Sequence, residues 1–123
     1  MKLSAAEETL MQHLWKREKA FMKDLLDAYD DPKPAVTTVA TLLKRVIDKG
    51  FISYREYGNS REYYPLITRN DYFSTHVNGL IRNFFNNSAA QFASFFTTET
   101  QLSASELEAL KDIIDQEIQK RKS

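Results

Sequence analysis

The stretch Val36-Thr37-Thr38-Val39-Ala40-Thr41-Leu42-Leu43-Lys44-Arg45-Val46-Ile47-Asp48-Lys49-Gly50, continuing through Phe51–Tyr57, Gly58-Asn59-Ser60 and Arg61–Leu66, decides the fold. Its first part reads as a helix from Val36 to Lys49. Turned by about 100° per residue, Val39, Leu42, Leu43, Val46 and Ile47 share one face. Thr37, Thr41, Lys44 and Asp48 lie opposite, with Thr38 and Ala40 on the two flanks. Gly50 suits a left-handed cap that ends the helix. Two runs rich in Tyr and Ile then flank a turn-forming Gly-Asn-Ser cluster, which predicts a β-hairpin. An outward helix face that is short, hydroxyl-rich and basic is unusual for an ordinary surface helix. A helix of this kind followed by a hairpin with a basic tip is the second half of a winged helix.

The N-terminal sequence supplies the first half. Ser4 and Glu7 stand at capping-box spacing, and Leu10, Met11, Leu14 and Trp15 follow at helical intervals as a buried stripe. A second helix fits Phe21–Tyr29, with Phe21, Leu25, Leu26 and Tyr29 turned inward. Asp30-Asp31-Pro32-Lys33-Pro34 stops it, because proline lacks an amide donor and disfavours helix in the residue before it. Three helices and a hairpin make a mainly α winged helix-turn-helix domain over residues 1–68.

Residues 69–123 have a different character. Asp71 to Asn86 has helical spacing, with Phe73, Val77, Leu80, Ile81, Phe84 and Phe85 on one face. Asn86-Asn87-Ser88 breaks it, Ala89 to Phe96 is a short apolar piece, and Thr97 to Thr100 is a polar connector. Ser103 and Glu106 form a second capping-box pair before a last helix carrying Leu107, Leu110, Ile113, Ile114 and Ile118. This segment holds six phenylalanines yet is too short to enclose them alone, so a helical dimerisation domain is expected. A two-fold pair would present two reading heads to DNA.

Composition excludes much else. The chain of 123 residues is 42% hydrophobic and has no cysteine, so disulfides, thiolate metal sites and cysteine nucleophiles are absent. His13 and His76 are far apart in sequence and no Ser-His-Asp order, phosphate-cradling glycine loop or HExxH motif occurs. The expectation is no enzyme, no catalytic residue, no metal, no cofactor and no small-molecule substrate. No apolar run of about 18 residues is present, and Met1-Lys2-Leu3-Ser4 lacks a secretory stretch, so a cytoplasmic protein is expected. Seventeen basic residues balance seventeen acidic ones. A general polyanion binder would be basic overall, but a sequence-specific one needs only a local patch. Between Lys44 and Tyr64 five basic residues face three acidic ones.

The expected DNA contacts follow from chemistry. Thr37, Thr38, Thr41 and Lys44 would enter the major groove of a double-stranded operator, with threonine methyls and Ala40 against thymine methyls. Lys44 and Arg45 would meet phosphates. At the hairpin, Arg55, Asn59, Ser60 and Arg61 would lie on the backbone or in the minor groove. The competing reading is a winged-helix protein–protein module without a DNA role. Salt dependence separates the two, since DNA binding weakens as salt re-neutralises phosphates.

The order and spacing of these pieces resemble the BlaI/MecI/CopY family of bacterial repressors over nearly the whole chain. The resemblance rests on Leu3-Ser4-Ala5-Ala6-Glu7 with Met11 and Trp15, on Thr37 through Arg45 with Lys49-Gly50, on Arg61-Glu62-Tyr63-Tyr64-Pro65-Leu66-Ile67, and on Leu102 through Ile118. It implies a homodimer that covers a dyad-symmetric operator and represses transcription. It also implies base contacts at Thr38 and Ala40. The second position is usually arginine in the best-known members, and alanine cannot make that contact, so the operator would differ. Family members that govern β-lactam resistance are inactivated by a membrane sensor metalloprotease through a cut in the dimerisation region. The matching bond here is Phe95-Phe96, where familiar members carry Asn-Phe. Copper-sensing members use cysteine pairs, which this chain lacks.

Overall fold

The computed structural model describes residues 2–123. Its elements run α1 (Ala5–Arg17), β1 (Ala20–Phe21), α2 (Met22–Ala28), α3 (Val36–Asp48), β2 (Ile52–Tyr57), β3 (Ser60–Pro65), α4 (Arg69–Phe84), α5 (Ala89–Glu99) and α6 (Ala104–Lys122). The winged-helix reading is borne out: three helices are followed by a hairpin, and the sheet order is β1-β3-β2, antiparallel throughout. The chain divides into two compact units, one ending at Ser74 and one beginning at Thr75.

The first unit owns the buried core. Leu10, Met11 and Leu14 of α1, Leu25 of α2, and Val39, Leu43 and Val46 of α3 close on Ile52 and Tyr63 of the sheet. Burying side chains of this size is worth about 1.5–3 kcal/mol each, which suits a head that folds on its own contacts. Trp15 lies at its edge and donates its indole N–H to the carbonyl of Ile67 at 2.8 Å. Tyr72 is buried beside it, and its hydroxyl donates to Glu8 Oε2 at 2.6 Å. Burial and the neighbouring carboxylate push the Tyr72 phenol up to about 12.

The helix ends follow the sequence. Ser4 and Glu7 make the anticipated reciprocal cap on α1, and Ser103 and Glu106 make one on α6. Lys49 is the C-cap of α3, and Gly50 takes φ +85°, a value L side chains rarely adopt.

The second unit is the last part of α4 with α5 and α6. Asn86 and Asn87 adopt left-handed backbone, which asparagine tolerates, and this is the break expected after α4. Ser88 then caps α5 by accepting from the Gln91 amide at 3.1 Å. From Thr75 to Ser123 no residue is buried.

The structure departs from the sequence reading in four places. Phe21 is not the first residue of the second helix but half of β1, paired with Glu62, and its amide donates to Asp24 at 2.9 Å to start α2. The segment Thr97–Glu99 is helical rather than a connector, with Thr97 and Thr98 hydroxyls donating back to Ala93 and Ser94 carbonyls at 2.8 and 2.7 Å. The first unit runs on to Ser74, where residues 1–68 were expected, because Tyr72 and Phe73 in the opening turns of α4 pack on its core. Phe73 therefore has a place in the head, 6.0 Å from Trp15 and 5.6 Å from Tyr72 between ring centroids, rather than on the free face assigned to dimerisation.

Candidate nucleic-acid interface

Two elements of the first unit carry the candidate DNA-contacting residues. The apolar face of α3 packs on α1, α2 and β2, which leaves Thr37, Thr38, Ala40, Thr41, Lys44 and Arg45 exposed. No side chain caps its N-terminus, where Ala35 is the N-cap residue. Val36, in the first turn, is 55% exposed, although its branched side chain is of a kind usually buried. Among the described residues Lys44 and Arg45 enter no ion pair, so both charges are available to an external anion.

The orientation of α3 is fixed at its C-terminal end. Lys49 donates to Glu7 Oε1 at 2.7 Å and to the carbonyl of Lys2 at 3.2 Å. Glu7 is 2% exposed and also accepts from the Ser4 amide at 2.7 Å. The hydrogen bond from Lys49 above all, with the Ser4 amide second, holds the Glu7 carboxyl below the usual carboxylate range. This tie joins the start of α1 to the end of α3 across 42 positions of sequence. The amide of Phe51 bonds back to Val46 at 3.1 Å and that of Leu66 to Phe51 at 2.8 Å, so α3 and the hairpin form one continuous frame.

The hairpin turns at Gly58, with φ +59°, and Asn59. Arg55, Asn59, Ser60 and Arg61 are all exposed near its tip. The register pairs Arg55 with Glu62 and Glu56 with Arg61, which puts the two arginines on opposite faces of the ribbon. Arg61 shares the face of Tyr54 and Tyr63, where its guanidinium stacks 4.3 Å over the Tyr54 ring and lies 3.9 Å from Glu56. Arg55 lies on the other face, 5.9 Å from the Tyr64 ring centroid, and makes no ion pair among the described residues. The two arginines thus cannot be equivalent contacts. Tyr57, 53% exposed at the tip, is an additional candidate that charge counting overlooked.

In the second unit, Val77, Leu80, Phe84, Leu107, Ile113, Ile114 and Ile118 are exposed, and Ile81 and Leu110 are half-buried. Phe95 and Phe96 lie in α5, 48% and 37% exposed. Phe92 stacks on Phe96 at 6.1 Å, and Phe85 lies 5.3 Å from Phe95. No group of three or more His, Asp or Glu side chains able to hold a metal occurs among the described residues. None of the described helices is long and apolar enough to cross a membrane.

Comparison with known proteins agrees with this architecture. The family model described as penicillinase repressor matches residues 3–116. The penicillinase repressor of Bacillus licheniformis is 24% identical over 121 residues, covering 98% of this chain and 94% of that one. The methicillin resistance regulatory protein MecI of Staphylococcus aureus is 24% identical over 114 residues, covering 92% and 93%. Among solved structures, the DNA-binding domain of the repressor BlaI, determined in solution, superposes with a TM-score of 0.51 at 26% identity, over 58% of this chain and 88% of that domain. The chain belongs to the penicillinase repressor family, a family of repressors and not of enzymes.

Proposed function

We propose that the chain is a DNA-binding transcriptional repressor that works in the cytoplasm as a homodimer on a dyad-symmetric operator. The observation that carries this reading is the exposed face of α3: hydroxyls, methyls and two unpaired cations, on a head that resembles the DNA-binding domain of the repressor BlaI. Thr37, Thr38, Ala40 and Thr41 meet base edges in the major groove, and Lys44 and Arg45 meet phosphates. Arg55, Asn59, Ser60 and Arg61 lie along the backbone beside it.

The dimer reading rests on the second unit. Forty-nine residues without one buried side chain leave apolar surface that a second copy would cover. Val77, Leu80, Ile81 and Phe84 of α4, with Leu107, Leu110, Ile113, Ile114 and Ile118 of α6, form the self-complementary surface. Phe73 is left out, because the head already holds it.

Release would follow from proteolysis at Phe95–Phe96 by a membrane sensor metalloprotease. A protease needs extended substrate, and α5 offers weak resistance to opening, since no buried residue anchors it. A cut there separates the heads from α6. Incubation with the cognate activated protease yields two fragments joining at Phe96 on this reading; a chain left intact overturns that part of it.

The repressor reading is tested by titrating the protein against DNA from upstream of its own gene, with unrelated competitor DNA, at two salt concentrations. Tight binding should survive the competitor. For about 6–10 phosphate contacts it should weaken by roughly 10³–10⁵ between 50 and 200 mM salt. Binding that is absent from all DNA, or indifferent to salt, would favour the winged-helix protein-interaction module.

A further inference from the structure

We propose that α3 reads its operator mainly through thymine 5-methyl groups rather than through hydrogen-bond forks to guanine or adenine. The inference rests on the reading that α3 enters the major groove, and it deepens that reading by naming what is recognised.

The major groove offers one apolar feature, the methyl group at C5 of thymine. Guanine and adenine are read there by forked side chains, arginine or lysine on guanine and asparagine or glutamine on adenine. The first two turns of α3, Val36 through Leu43, contain none of these four residue types and no carboxylate. Their exposed residues offer the isopropyl group of Val36, the methyl of Ala40, and the methyls and hydroxyls of Thr37, Thr38 and Thr41. The Thr41 hydroxyl donates to the carbonyl of Thr37 at 2.9 Å, so its proton is used within the helix and it offers a ligand its methyl and the acceptor lone pairs of its oxygen, but no donor. The first cations, Lys44 and Arg45, come only after these turns, where they serve the flanking phosphates. A helix end so supplied distinguishes thymine from cytosine by shape and apolar contact.

An ordinary surface helix explains this pattern poorly. Exposed positions near a helix start favour acidic residues, which complement the helix dipole, and unbranched side chains, which lose little rotamer freedom. The exposed face of α3 instead carries β-branched residues at Val36, Thr37, Thr38 and Thr41, with no acidic residue in its first turn. Local stability is given up there for a methyl-bearing surface.

The test uses the full-length protein and random duplex DNA enriched by repeated rounds of binding. The enriched half-sites should hold thymines at the positions that α3 covers. Each such thymine is then replaced by deoxyuridine, which removes the 5-methyl alone and keeps the pairing edge. One methyl is worth about 0.8 kcal/mol, so each replacement should weaken binding roughly three- to fivefold. Thr41→Ser keeps the hydroxyl bond to Thr37 and deletes the methyl. This variant should weaken binding to thymine DNA and make one position insensitive to uracil, a coupling that general destabilisation would not produce. Sequence-specific binding that ignores deoxyuridine, or half-sites dominated by guanine at the α3 positions, overturns this inference while leaving the repressor reading intact. If no sequence is enriched and no DNA is held, both fall together.

Discussion

The two units of this chain handle apolar surface in opposite ways. Up to Ser74, a dozen hydrophobic side chains are buried around α1, α3 and the sheet. From Thr75 onward none is, although α4, α5 and α6 carry a comparable supply of Phe, Leu and Ile. The head is a finished core, with only single apolar residues such as Val36, Tyr57 and Leu66 left exposed. The tail leaves its apolar side chains uncovered, which on the proposed dimer reading makes it half of a core. The contrast teaches that burial, more than composition, separates a unit that encloses its own apolar surface from one that leaves it exposed.

The largest test of that contrast is to charge the tail. Leu110→Asp with Ile114→Asp should convert a dimer to a monomer by sedimentation and leave the head's own cooperative unfolding in place. Losing the linked second head should lower operator affinity by about 10²- to 10⁴-fold. A double variant that still sediments as a pair would remove α6 from the interface.

Truncation sharpens the comparison at the next scale. Leu10→Ala in the head should cost about 2–5 kcal/mol in chemical denaturation, as a fully buried leucine does, at any protein concentration. Ile113→Ala, at a position 59% exposed in the single chain, should cost stability that grows as the protein is diluted. Equal behaviour of the two variants under dilution would erase the distinction between finished and half-built cores.

A smaller effect concerns the tie that aims α3. Glu7→Gln should lower stability by about 1.5–3 kcal/mol near neutrality, the range for a hydrogen bond to a charged group. The Glu7 carboxyl is held low in the folded chain, chiefly by Lys49. Its stabilisation is therefore fully present above the ordinary glutamate value of about 4.3 and disappears as pH falls through the depressed folded value. Denaturation of wild type and variant across pH should show the gap closing in acid. A gap that persists there would assign the effect to packing instead.

The smallest expected difference lies within the hairpin. Among the described residues Arg55 enters no ion pair, whereas Arg61 is engaged with Tyr54 and Glu56. Arg55→Ala should reduce the salt slope of DNA binding by about one per copy, and Arg61→Ala by less. The reverse order would mean that the ribbon presents its other face to DNA.

Much of the fold was legible because each piece carries a local signal: the two capping boxes at Ser4 and Ser103, the proline stop after Tyr29, the five apolar positions of α3 and the glycines at 50 and 58. What escaped the sequence lacks such a signal or is settled over distance. A two-residue strand at Ala20–Phe21 is too short to show alternation. The helical period placed Phe73 on an apolar face correctly but could not say that Trp15 waits for it. Counting charges found Arg55 and Arg61, and only the register of β2 and β3 shows that they point to opposite sides. The Glu7–Lys49 bond joins two ordinary-looking charges far apart in the chain, so nothing local marked it.

The central claim, two copies sharing one operator, is tested most directly by the mass of the complex on enriched DNA. The full dyad site and a single half-site would be titrated in parallel by sedimentation. The account predicts two chains on each full site, bound together, and much weaker binding to the half-site. One chain per duplex, with equal affinity for full and half sites, would contradict it.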